Sequence, residues 1–179
     1  SYIGEVADWQ VTHWRAAIRW IELLLDLPAL QHLLMGNTAP AWMLENEQLK
    51  PFTGTNLTQR INAMQQSVYA PLVDAWMEGS DLRDAWLAQW RKRLFEPDSK
   101  LFPPMQLFVT LFLHYIGATE SLTAGDAYSA RNKLMRKLER MFRQFTFQPV
   151  TAFIHLGLVA MDLERLRGNI MKRSLFVSE

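Results

Sequence analysis

Apolar residues recur along this chain at intervals of three and four, the spacing that lines one face of an α-helix. Alternating strand patterns are nearly absent. Val6, Trp9, His13, Ala16, Ala17, Trp20 and Leu24 open the series and predict a first long helix from Ile3 to Leu25. Pro28 ends it and suits the first turn of a short helix reaching Met35, with Gly36 as the residue after its C-cap. Residues 36–56 hold Gly36, Asn37, Pro40, Pro51 and Gly54 and read as a loop, with a helical turn or two around Trp42 to Gln48. A second long helix is predicted from Asn56 to Glu78. Pro71 lies inside it, where a missing N–H and a steric clash demand a kink or a break.

Ser80 is the expected N-cap of the next helix, with Asp81 and Asp84 at its positive end and Arg91, Lys92 and Arg93 at its negative end. Pro97 stops it. Pro103 and Pro104 introduce an apolar helix, Met105 to Ile116, ended by Gly117. Thr123 and Asp126 resemble a capping box for a helix to Gln144, and Pro149 opens a last helix to Arg173. These signals predict an all-α fold: a six- or seven-helix bundle or an irregular helical array.

Composition narrows the class. The chain has 179 residues, 49% apolar and 21% charged, with a net charge of +1. Disordered chains are poorer in apolar residues and richer in net charge. Length favours a single domain spanning 1–179. Helical spacing begins almost at Ser1, as in a domain excised from a longer protein. No secretory signal is visible. The densest apolar stretch, Met105 to Ile116, runs roughly 12 residues where a membrane span needs about 20, so no transmembrane segment is expected. The absence of Cys excludes a disulfide scaffold, a thiolate metal site and a cysteine nucleophile. It fits a reducing or an oxidising compartment, and the compartment stays unknown, with the cytoplasm the nearer expectation.

Several chemistries lack their signatures. The residues three before His13, His32, His114 and His155 are Gln10, Ala29, Leu111 and Ala152, so there is no Glu-x-x-His motif for a di-iron bundle. No His-x-x-x-His pair, phosphate loop or nucleophile elbow is present. No catalytic residue, cofactor or metal site is assigned. Asp74, Glu78, Asp81 and Asp84 read as an exposed helix end and start.

Charge is unevenly placed. From Glu120 onward there are ten basic and six acidic residues; the first 119 residues carry nine and twelve. The stretch 126–144 concentrates the bases: Arg131, Lys133, Arg136, Lys137, Arg140 and Arg143, beside an apolar stripe of Leu134, Leu138, Met141, Phe142 and Phe145. This is an amphipathic helix with a basic outer face. All seven Trp precede residue 91. Trp9, His13 and Trp20 share one line of the first helix and Trp14 projects away from it, so Trp14 is expected to be exposed or in contact with a partner, and Trp42 is expected to be so too. Trp86 and Trp90, one turn apart, are expected in the core.

Three readings follow. The first is a non-enzymatic helical interaction domain (an adaptor, chaperone-like or assembly subunit) that binds a protein partner or itself through Trp14, Trp42 and the basic residues. The second is a helical pocket protein that binds or transforms an apolar small molecule, with His114, Tyr115 and His155 as polar groups in a buried cavity. The third and weaker is binding of nucleic acid or an anionic surface through 126–144, which the near-zero net charge disfavours.

Overall fold

The computed structural model describes residues 1–94, 103–119 and 124–176. Its described residues are helical with no strand, in an irregular array. The helices are α1 (Tyr2–Asp8), α2 (Thr12–Arg19), α3 (Leu27–Leu34), α4 (Ala41–Glu45), α5 (Leu57–Gln65), α6 (Ala70–Met77), α7 (Leu82–Leu94), α8 (Pro103–Thr119), α9 (Ala124–Gln144) and α10 (Val150–Phe176). Short 3₁₀ segments cover Trp20–Leu24 and Lys50–Phe52. They gather into two compact units, Ser1–Ser99 and Lys100–Glu179, a finer grouping than length alone expresses.

In the first unit the predicted helix Ile3–Leu25 is three pieces. Val11 is extended (φ −62°, ψ 152°), which breaks the chain between α1 and α2. The carbonyls freed there are taken by Arg15: its Nε donates to Gln10 O at 2.8 Å and its Nη2 to Asp8 O at 3.3 Å. A break resets the helical phase. Trp14 therefore turns inward, 8% exposed, whereas Trp9 is left 68% exposed. The expectation of an exposed Trp14 fails for that reason.

Pro71 breaks the second predicted helix as anticipated, falling in the first turn of α6. Asn56 caps α5, its Oδ1 accepting from Thr58 N and Gln59 N. The cap expected at Ser80 moves one residue on: Asp81 Oδ1 accepts from Arg83 N at 2.8 Å, and α7 begins at Leu82.

Gly79 follows α6 with φ +89°. Its N–H reaches Trp76 O at 2.9 Å, and Ser80 N reaches Ala75 O at 2.9 Å, the two bonds of a Schellman cap. Gly36 ends α3 in the same way at φ +79°. A Cβ at Gly79 would meet nothing within 4 Å, so the cost of adding one is purely conformational. Gly79→Ala is expected to lower stability by about 1–2 kcal/mol in thermal unfolding; an unchanged Tm would contradict the left-handed cap.

Three indoles fasten α7 to the end of α2. Trp20 Nε1 donates to Trp86 O and Trp86 Nε1 donates to Trp20 O, each at 3.0 Å, and Trp90 Nε1 donates to Ala17 O at 3.1 Å. The Trp86 and Trp90 rings stack 5.6 Å apart at 17°. The Arg93 guanidinium lies 3.7 Å over the Trp20 ring, a cation–π contact, and burial pulls its pKa below the ordinary value. Arg60 is the one buried charged residue among the described residues of this unit, 5% exposed. It donates to three backbone carbonyls: Gly54, Leu33 at 3.2 Å and Asn37 at 2.7 Å. Leu33 lies near the C-terminal end of α3, where the helix dipole favours a cation. Tyr69 Oη donates to Asp26 Oδ2 at 2.7 Å, and burial together with that bond raises the phenol pKa.

The second unit is built from α8, α9 and α10. Helices α9 and α10 form an antiparallel hairpin: Arg131 pairs with Glu164, Leu138 lies against Gly157, and Phe142 lies near His155. Gly157 is small for a reason, since a Cβ there would stand 3.3 Å from Leu138 Cδ1. Helix α8 packs on both through Met105, Phe108 and Val109, with the Phe108 ring 6.2 Å from that of Phe153. It continues through Gly117 to Thr119, past the stop expected at that glycine. Pro149 sits immediately before α10 rather than as its first residue. Pro97 and Thr123 lie outside the described residues. No helix among the described residues is long and apolar enough to cross a membrane.

Candidate functional site

The second unit carries a row of exposed cations on α9. At about 100° per residue, Arg143, Arg136, Arg140, Lys133 and Lys137 fall within one arc of about 120° on α9. All five are exposed. Leu134, Leu138 and Met141 are buried on the opposite side. None of the five forms an ion pair among the described residues; Arg136 Nε makes a long 3.3 Å contact to Asn132 O.

Arg131 does not belong to this face. It points toward α10, where its Nη2 meets Glu164 Oε2 at 2.6 Å, and its Nε is buried without a hydrogen-bond partner. The predicted basic set thus divides: five cations face outward and the sixth is paired with Glu164 of α10. A half-exposed ion pair of this kind contributes about 1 kcal/mol or less.

Between α8 and α9 runs a groove of about 370 Å³. Leu111, Ala130 and Leu134 form its floor, Lys133 and Lys137 one rim, and His114 and Tyr115 the other. The Lys rim is the edge of the basic face, so the two features are continuous along α9. Asp126 lies at one end of the groove and is engaged in an interaction of its own.

The expected buried cavity of His114, Tyr115 and His155 is not what the helices build. Met105, Phe108 and Val109 face the core, and His114, nine residues beyond Met105, is half a turn round α8 and exposed. The apolar run concealed this, because Leu107 and Leu111 make the outward side apolar too. His155 is half-buried between α9 and α10, its ring 6.4 Å from that of Phe142, and does not line the groove.

No family model, curated protein or solved structure matches the chain.

The remaining predicted residues are dispersed. Trp42 is exposed at 55%, but it lies on α4 in the first unit. Asp74, Glu78 and Asp84 border an open groove between α6 and α7, where Lys92 offsets them and Asp74 Oδ1 accepts from Gln65 at 2.7 Å. Asp81 is occupied as the α7 cap. Among the described residues no three acidic or imidazole groups converge as a metal site would require. The groove on α8 and α9 was missed as a feature of the sequence. Its one local signal is Ala130, a small side chain on the boundary between the apolar stripe and the basic face.

Proposed function

We propose that this chain is a helical protein-interaction module whose recognition surface is the outer face of α9. The observation that carries the reading is the arc of five exposed cations, none of which forms an ion pair among the described residues. Unpaired charges on one face cost little in water and are available to a partner's carboxylates. Three of the five are Arg, the cation enriched at protein interfaces and among their energetic hot spots. Phe147, fully exposed on the turn that follows α9, and Leu163, Leu166 and Ile170 on α10 add apolar area to the same unit. An Arg-rich face followed by an exposed Phe suits a protein partner better than a phosphate backbone, which calls for a stronger basic balance than the net +1 of this chain.

The partner expected is an acidic protein surface. The test is chemical cross-linking with mass spectrometry in extract of the source cells, comparing the wild type with Arg136→Glu/Arg140→Glu/Arg143→Glu. The expected result is cross-links from α9 to an acidic partner that vanish in the triple variant while its helical circular dichroism is unchanged. Cross-links that survive charge reversal would refute the reading, as would capture of nucleic acid in place of protein.

A further inference from the structure

We propose that the groove between α8 and α9 is a binding site for a small amphiphilic anion, an aliphatic chain ending in a carboxylate or phosphate. This goes beyond the docking face, because it assigns a ligand to the groove and uses the two lysines that the Arg test leaves untouched.

Each part of the groove selects against a simpler ligand. Lys133 and Lys137 stand one helical turn apart on the rim, both exposed, neither held by a hydrogen bond or ion pair among the described residues. A neutral apolar molecule would leave both ammonium groups unused. Leu111, Ala130 and Leu134 offer a fully polar ligand no hydrogen bond and favour an aliphatic chain, with the Ser129 hydroxyl beside them. A volume of about 370 Å³ lies within the range of small-molecule sites. His114 on the facing rim adds an imidazole within the same groove.

Lys133 and Lys137 line the groove one helical turn apart and fix the headgroup, which lies between their two ammonium groups. The chain runs from there over Ala130 and the apolar lining. Ala130 is what leaves the floor open; a large side chain there would occupy the path.

The experiment is a titration of the labelled chain by heteronuclear NMR with octanoate, octyl phosphate, 1-octanol and inorganic phosphate, each below its aggregation concentration. Both octyl anions are expected to bind saturably and to move the amide signals of His114, Ala130, Lys133 and Lys137. Octanol and inorganic phosphate are expected to bind at least tenfold more weakly. Lys133→Gln/Lys137→Gln should weaken the anions at least tenfold, and Ala130→Trp should abolish binding, both with unchanged circular dichroism. The relative affinity of octanoate and octyl phosphate tells a carboxylate site from a phosphate site. Octanol binding as tightly as octanoate, inorganic phosphate as tightly as octyl phosphate, or an anion affinity unchanged in the double Gln variant would overturn the proposal. So would failure of both octyl anions to move these signals. None of these results depends on the Arg residues of the docking face, so the two ideas fail separately.

Discussion

Trp86→Ala is expected to lower the folding stability of the first unit by about 3–5 kcal/mol, the cost of emptying a large aromatic site. The side chain is 1% exposed, stacks on Trp90, and gives its indole N–H to Trp20 O while its own carbonyl accepts from Trp20. Removing it leaves a cavity and takes the donor from a buried carbonyl at the end of α2. Natural domains hold only about 5–15 kcal/mol in reserve, so the loss is a large fraction of the whole. Trp86→Phe separates the two contributions. It keeps most of the volume and removes the N–H, and is expected to cost about 1–3 kcal/mol. Urea denaturation of both variants checks this. A loss below about 1 kcal/mol for Trp86→Ala would show that α7 is held to α2 by other contacts.

Arg60→Met is expected to cost about 3 kcal/mol or more, although no carboxylate pairs with this residue among the described ones. Hydrogen bonds from a charged donor contribute about 1.5–3 kcal/mol each, and the guanidinium makes three to backbone carbonyls. Met fills similar apolar space, so the loss reads the carbonyls of Leu33, Asn37 and Gly54 left without a donor. The bonds tie the end of α3 and both ends of 37–54 to α5. Hydrogen exchange should therefore accelerate in that segment before it does in α7. Arg60→Lys keeps the charge but lacks the planar fork that reaches several acceptors at once, and should recover only part of the loss. A Met variant as stable as the parent would mean that the three carbonyls are satisfied another way.

The helical class was legible because apolar spacing and backbone punctuation agree along most of the chain. Pro71 and Gly36 act locally through a fixed or permissive φ, so their effects survive folding unchanged. The break after α1 was not legible, since Trp9, Gln10 and Val11 include neither Pro nor Gly. What holds it open is the Arg15 side chain on the carbonyls of Asp8 and Gln10, a tertiary device invisible to periodicity. One misplaced break was enough to reverse the predicted environments of Trp9 and Trp14. The basic stripe was legible from α9 alone, because it needs one helix and a rotation of about 100° per residue. Arg131 and His155 were not, because their places depend on what α10 sets against them. The groove was hidden for the same reason: Lys133 and Lys137 share a face with the Arg residues in sequence, and only α8 gives that edge a second wall.

The distribution of indoles divides the molecule spectroscopically. All seven Trp lie in the first compact unit and the second has none. Intrinsic tryptophan emission is therefore a private signal of Ser1–Ser99, whereas far-ultraviolet dichroism sums the helices of both units. If the two signals melt together, the chain unfolds as one cooperative system; if they separate, the interval between the midpoints measures how independently the tryptophan-free unit stands.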